Sequence, residues 1–230
     1  MKKFKFLTIK KKTIIAVLLC VFCVGVFCPT YFAIKSVATP KHIFTVVIDA
    51  GHGGIDNGCE GYSGTKESEI NLAYATTLQQ YCKEFGFSVV MTRNSDKGLY
   101  SPFASNKKKD DMKARKEIIE KSKADIVVSV HMNSYPKNSS RGAQVFYNQD
   151  NENSKILADK IQAQFVKNLV KPRKTSQKGD YFIVNCTPVP SVIVECGFIS
   201  NKEEEQLLLT ESYKDNVCYS ILCGILTYIM

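Results

Sequence analysis

Thr45-Val46-Val47-Ile48-Asp49-Ala50-Gly51-His52-Gly53-Gly54 is the stretch that decides the fold. It opens with a compact apolar run enriched in branched residues, the pattern of a central strand buried on both faces. Asp49-Ala50-Gly51 stops the run, and Gly51, Gly53, Gly54, Gly58, Gly61 and Gly64 mark the loop that follows. Downstream, Ser68 to Phe85 carries Ile70, Leu72, Ala73, Leu78, Tyr81 and Cys82 at helical spacing, and Gly86 supplies a stop. Phe87 to Met91 predicts a second strand. Asn94 to Asp111 reads as a polar loop whose run Lys107, Lys108, Lys109 marks a solvated surface, with contact to an anionic polymer as the sharper reading.

The same reading continues to the end of the chain. Met112 to Ser122 is expected as a helix, Ile126 to Val130 and Ala143 to Tyr147 as strands, and Ser154 to Val170 as an amphipathic helix. Val192 to Val194 is a short central strand and Tyr213 to Ile229 a closing helix. Strand and helix alternate throughout, so the expected fold is α/β, with a mostly parallel sheet covered by helices on both faces. Ligands of such folds collect at the carboxyl ends of the strands. No internal repeat and no second domain is visible.

Composition sets the outer bounds. The 230 residues are 44% hydrophobic and 23% charged, which excludes a disordered chain, a collagen-like fibre and a small disulfide scaffold. The net charge of +9 is concentrated at the start: Lys2, Lys3, Lys5, Lys10, Lys11 and Lys12 precede position 13, leaving +3 after position 34. That is too mild to argue for nucleic acid, and no zinc-finger or RRM signature supports it.

Thr13 to Ile34 runs 22 residues without a charge. A helix of that length rises about 1.5 Å per residue and crosses a bilayer core of roughly 30 Å. The expected organisation is a basic cytoplasmic segment (1–12), a transmembrane anchor (13–34), a linker (35–44) and an exported catalytic domain (45–230). A cleaved signal peptide ending near Ser36-Val37-Ala38 is the competing reading, and it sends the domain to the same compartment. Cys59, Cys82, Cys186, Cys196, Cys218 and Cys223 lie in that domain; their spacing matches no zinc ribbon or redox centre, so most are expected as small buried apolar side chains.

Two of three histidines directly follow apolar runs: His52 after the first strand, and His131 in Val127-Val128-Ser129-Val130-His131-Met132-Asn133. Glu195 follows Val192-Ile193-Val194 in the same manner. Three ionisable groups at three strand ends converge on one sheet edge. Two imidazoles and a carboxylate, with a fourth position left for water, make the open site of a catalytic zinc. Glu67 and Glu69 both qualify as the carboxylate; Glu67 shares a helix face with Asn71 while Glu69 points elsewhere, and spacing alone does not choose. Single histidines are usually structural, and a buried Glu195 could instead pair with Arg93 or Arg115.

The strings Ile48-Asp49-Ala50-Gly51-His52-Gly53-Gly54, Glu67-Ser68-Glu69-Ile70-Asn71-Leu72, Met91-Thr92-Arg93, Ser129-Val130-His131-Met132-Asn133 and Val194-Glu195-Cys196-Gly197-Phe198 resemble, in order, the motifs of the zinc-dependent N-acetylmuramoyl-L-alanine amidases. The similarity spans about residues 45 to 229. It implies a three-layer αβα sandwich of phosphorylase/hydrolase type, Zn2+ held by His52, Glu67 and His131, and Glu195 as the catalytic residue. Ser68 departs from the family pattern, where a basic residue is frequent.

The implied reaction is hydrolysis of the amide joining N-acetylmuramic acid to the L-alanine of the stem peptide in peptidoglycan. Arg93, Asn133 and Arg141 are candidate substrate contacts, each with a competing structural role. A single domain behind one membrane segment is similar to the family's germination-specific type in spore-forming bacteria. That type implies action on spore cortex and, in some clostridial members, a lipoprotein activator. The rival classes are a zinc peptidase cutting within the stem peptide and a non-catalytic wall-binding scaffold.

Overall fold

The computed structural model describes Ile15, residues 43–137 and residues 139–230. Apart from Ile15, the expected cytoplasmic segment, membrane segment and most of the linker lie outside the described residues. Among the described residues no helix is long and apolar enough to cross a membrane.

Residues from Ile43 onward form one unit built on a six-stranded sheet. Its strands are β1 (Thr45–Ala50), β2 (Ser88–Met91), β3 (Ile126–Asn133), β4 (Gln144–Tyr147), β5 (Gln177–Lys178) and β6 (Ser191–Phe198), in the spatial order β2-β1-β3-β6-β4-β5. All neighbouring pairs are parallel except β4 with β6. The helices are α1 (Glu67–Glu84), α2 (Lys107–Ser122), α3 (Glu152–Asn168), α4 (Phe182–Asn185), α5 (Lys202–Leu208) and α6 (Glu211–Ile229).

Alternation along the strands divides the core. Val46, Ile48, Val128, Val130, Val192 and Val194 pack with Ile70, Leu78, Leu157, Ile161, Val217 and Ile221 from α1, α3 and α6. Val47, Val127 and Ile193 point the other way, onto Ile119 of α2 and Ile183 and Val184 of α4. The result is the expected α/β architecture: a mostly parallel sheet with helices on both faces.

The structure revises several boundaries. The lysine run is the first turn of α2, because the Asn106 side chain accepts a hydrogen bond from the Lys109 N–H at 2.9 Å and caps the helix there. Strand β6 runs on through Glu195 to Phe198, so Glu195 lies within a strand, opposite His131 in register. Helix α5 was not expected; the Asn201 side chain accepts from Glu203 and Glu204 N–H and starts it. All six cysteines of the domain are free thiols, with Cys82, Cys196 and Cys218 buried and Cys59, Cys186 and Cys223 half-buried.

Candidate functional site

Strand periodicity delivers the site. Residues 49, 129 and 131 fall on the α2 side of the sheet, and Ile193 and Glu195 of β6 share it. Asp49 is therefore forced into the interior and needs a cation. Arg115 of α2, 1% exposed, supplies it: Nη1 donates to Asp49 Oδ1 at 2.6 Å and Nε to Asp111 Oδ2 at 2.6 Å. Thr92 and Ser129 hydroxyls also donate to Asp49. Burial works to raise the Asp49 carboxyl, but Arg115 and these hydroxyls outweigh it and hold it at about 2.

The same arginine reaches the loop beyond β1. Its Nη1 donates to Ala50 O at 2.8 Å and Nη2 to His52 O at 2.6 Å. His52 has φ of 60°, a left-handed conformation that costs a side-chain-bearing residue energy and persists only when its surroundings fix it. Arg93 closes the frame from the other side: Nε donates to Ala50 O, Nη1 to Ser95 O, and Nη2 to both Gly51 O and Ser68 O, at 2.8 to 3.0 Å. It ties the loop bearing His52 to the start of the helix bearing Glu67.

Within that frame His52, Glu67 and His131 come together, with one ligand atom from each all within 4.8 Å of one another. Glu67 Oε2 lies 3.3 Å from His52 Nε2, and Oε1 lies 3.0 Å from His131 Nδ1. The carboxylate is aimed by Cys59 N–H at 2.8 Å, Asn71 Nδ2 at 3.1 Å and Met132 N–H at 3.2 Å. Glu69 is exposed and paired with Lys66, so the helix face that Glu67 shares with Asn71 is the one at the cluster. Burial pushes the Glu67 carboxyl up, but hydrogen bonds and charge from both imidazoles hold it well below the usual carboxylate range. Burial likewise lowers His52, and the Glu67 and Asp56 carboxylates outweigh that and raise it.

Glycine makes the approach possible. A Cβ at Gly51 would sit 2.2 Å from the His131 ring, and one at Gly58 would sit 2.5 Å from Glu67 Oε2 and 2.7 Å from His52 Cδ2.

Glu195 is 8% exposed, and its electrostatic neighbours are His131, Glu67 and His52. Neither arginine considered as its partner serves it; Arg93 donates to carbonyls and Arg115 to Asp49, Asp111 and two carbonyls. Its Oε2 is buried without a hydrogen bond, and burial pushes the carboxyl up to about 7. His52 Nδ1 is also buried without a hydrogen bond; Asp56 Oδ2 is 3.1 Å away but out of line.

Of the candidate substrate contacts, Arg93 is buried with its donors on backbone carbonyls. Arg141 donates to Glu203 at 2.9 Å at the surface. Asn133 ends β3, where its carbonyl accepts from Ile199 N–H at 2.8 Å. Asp49 is the supporting residue not singled out from sequence, and the signal was an acid closing an apolar run; Arg115, weighed there as a partner for Glu195, pairs with Asp49 instead.

Fold and side-chain cluster define the class: an α/β protein with a histidine, glutamate and histidine cluster at the carboxyl edge of its mostly parallel sheet. A family model described as N-acetylmuramoyl-L-alanine amidase matches residues 46–227, and the chain belongs to that family. It is 34% identical over 188 residues to the germination-specific N-acetylmuramoyl-L-alanine amidase of Bacillus subtilis, covering 80% of this chain and 78% of that one. Its fold is similar to the CwlD amidase from Clostridioides difficile in complex with the GerS lipoprotein, with TM-score 0.78 and 36% identity over 81% of this chain and 98% of that one. The catalytic domain of CwlV from Bacillus (Paenibacillus) polymyxa var. colistinus gives TM-score 0.72 and 31% identity over 81% and 98%.

Proposed function

We propose that this amidase is zinc-dependent, with His52, Glu67 and His131 as the metal ligands and Glu195 as the group that moves the proton. The observation that carries the reading is Glu195: a buried acid with an unsatisfied oxygen, beside a three-donor cluster, in a protein whose nearby arginines are engaged elsewhere. The donor set suits zinc, since two imidazoles and one carboxylate leave a position open, and the glycines at 51 and 58 clear space around it. When bound, zinc supplies a Lewis acid that polarises the amide carbonyl and brings the pKa of water toward about 7.

The chain's own residues do the rest. Glu195 accepts the proton of the attacking water and delivers it to the departing L-alanine nitrogen, a task suited to a buried carboxylate with a free oxygen beside the cluster. Glu67 is held by three donors so that its oxygens face both imidazoles. Arg115 and Arg93 fix the backbone on either side of His52. A scaffold protein has no use for an uncompensated acid in this position. Mass spectrometry of peptidoglycan digested with purified protein tests the reaction. Release of a free muramyl lactyl carboxylate is expected; a new carboxylate within the stem peptide would make the protein a peptidase instead.

The germination-specific relative supports action on spore cortex, outside the cytoplasmic membrane, with the apolar segment 13–34 as the export or anchoring element. The lipoprotein bound to the Clostridioides difficile protein supports a lipoprotein partner here. A deletion strain whose spores form but fail to germinate bears out the spore role, and normal germination contradicts it.

A further inference from the structure

A pocket of about 460 Å³ opens beside His52 and His131, between the start of α2 and α4. Its walls are mostly apolar, with Ile55, Met112, Phe182 and Ile193, and its basic groups at the rim are Lys107 and Lys108. Lys107 Nζ stands 5.5 Å from the centre of the Tyr100 ring, and the Tyr100 hydroxyl accepts from Ile55 N–H at 3.0 Å. The lysine end of the pocket is thereby tied to the loop that carries His52. Lys108 Nζ lies 3.9 Å from Asp56 Oδ2, and that same oxygen lies 3.1 Å from His52 Nδ1, so the ammonium is no more than 7.0 Å from the imidazole.

These lysines also contradict the needs of their helix. Cations in a first turn oppose the macrodipole and weaken the helix. Breaches of a local rule concentrate at functional positions. Of the acids nearby, Asp111 is engaged by Arg115 and Asp110 accepts from Ser101 N–H, which leaves Asp56 as the carboxylate facing Lys108. Helix N-terminus and ammonium groups add their positive fields at the pocket mouth.

We infer that Lys107 and Lys108 form a specificity subsite for a carboxylate on the residue that follows L-alanine in the stem peptide. The inference rests on the amidase reading and names the part of the substrate that lies in the pocket. An extended peptide advances about 3.3 Å per residue, so a carboxylate one residue beyond L-alanine lies about 7 Å from the cut bond, short enough to fall within the pocket beside His52. The apolar walls take the aliphatic part of that side chain. A carboxylate there displaces Asp56 from Lys108 and gains a charge-assisted contact with an exposed ammonium.

Three synthetic muropeptides test this with full-length protein: one with glutamate after L-alanine, one with that free carboxylate amidated, and one amidated only at a carboxylate farther along. Wild-type kcat/KM should favour the glutamate form over its amide by about five- to tenfold, the effect of two partly screened charge pairs. Amidation farther along should leave the rate as it was. In the Lys107→Gln/Lys108→Gln protein the glutamate-to-amide ratio should fall to about one. A wild type indifferent to amidation, an undiminished ratio in the variant, or a preference abolished only by the distant amide would each overturn the subsite. Cleavage of all three within the stem peptide, with no muramyl lactyl carboxylate released, would overturn the amidase reading itself, and the subsite with it.

Discussion

Two buried ionic regions lie side by side at the end of β1, and they are built on opposite rules. Around Asp49 the structure is closed: Arg115, Thr92 and Ser129 occupy the carboxylate, and Arg93 and Arg115 donate to five different backbone carbonyls. Around Glu67 and Glu195 it is left open. Two imidazoles crowd one carboxylate, a second carboxylate keeps an unsatisfied oxygen, and an imidazole nitrogen is buried without a hydrogen bond. A satisfied network rigidifies; an unsatisfied one stores the capacity to bind. The closed region holds the open one in place, through the left-handed His52 whose carbonyl it grips.

Breaking the closed region should give the largest effect. Arg115→Met leaves Asp49 and Asp111 buried without their cation, and such losses cost about 3–5 kcal/mol. Denaturant unfolding of the variant should show a loss of that size; a change below about 1 kcal/mol would mean the pair does not hold the frame. Breaking the open region should spare stability and remove chemistry. Glu195→Gln should lower kcat by about two orders of magnitude or more while unfolding at the wild-type denaturant midpoint or above it, since the variant no longer buries an ionisable acid. Hydrolysis at the wild-type rate would exclude the assigned role.

Acid separates the two regions by pH. Asp49 has its folded pKa depressed from 3.8 to about 2, so its contribution is fully present above 3.8 and is lost as pH falls through 2. Stability should therefore decline by on the order of 2 kcal/mol from this group across that window. Asn, always neutral, removes the titration, and an Asp49→Asn protein with an unchanged acid limb would show that other groups control it. The smallest effect should come from Asn71→Ala, which removes one of three donors aiming Glu67. Outer contacts of this kind are worth roughly 10–100-fold in metal affinity, and one of three should give about tenfold in a zinc titration. Unaltered affinity would remove Asn71 from the account.

The sequence made the open region more legible than the closed one. His52, His131 and Glu195 each break an apolar run, and a polar residue placed against that pattern signals its own importance. Asp49 gave the same signal, yet its partner stands 66 positions away on a helix whose register depends on a cap at Asn106. Reading the lysines as loop displaced the start of that helix, and Arg115 was weighed only as a partner for Glu195 rather than for Asp49. Glu195 was placed at a strand end because Val192 to Val194 is the only apolar run there. Pairing with β3 and β4 extends β6 to Phe198, and hydrogen bonds between distant strands leave little trace in local composition. Parallel pairing among β2, β1, β3 and β6 was expected from alternation, whereas their spatial order and the antiparallel β4 were not.

Zinc content is the most direct measurement of all. Purified wild-type protein should carry about one zinc per chain, and His131→Ala, with a ligand gone, should carry almost none while keeping its circular dichroism. Full hydrolytic activity in metal-free wild-type protein, or zinc retained at one per chain in His131→Ala, would contradict the account.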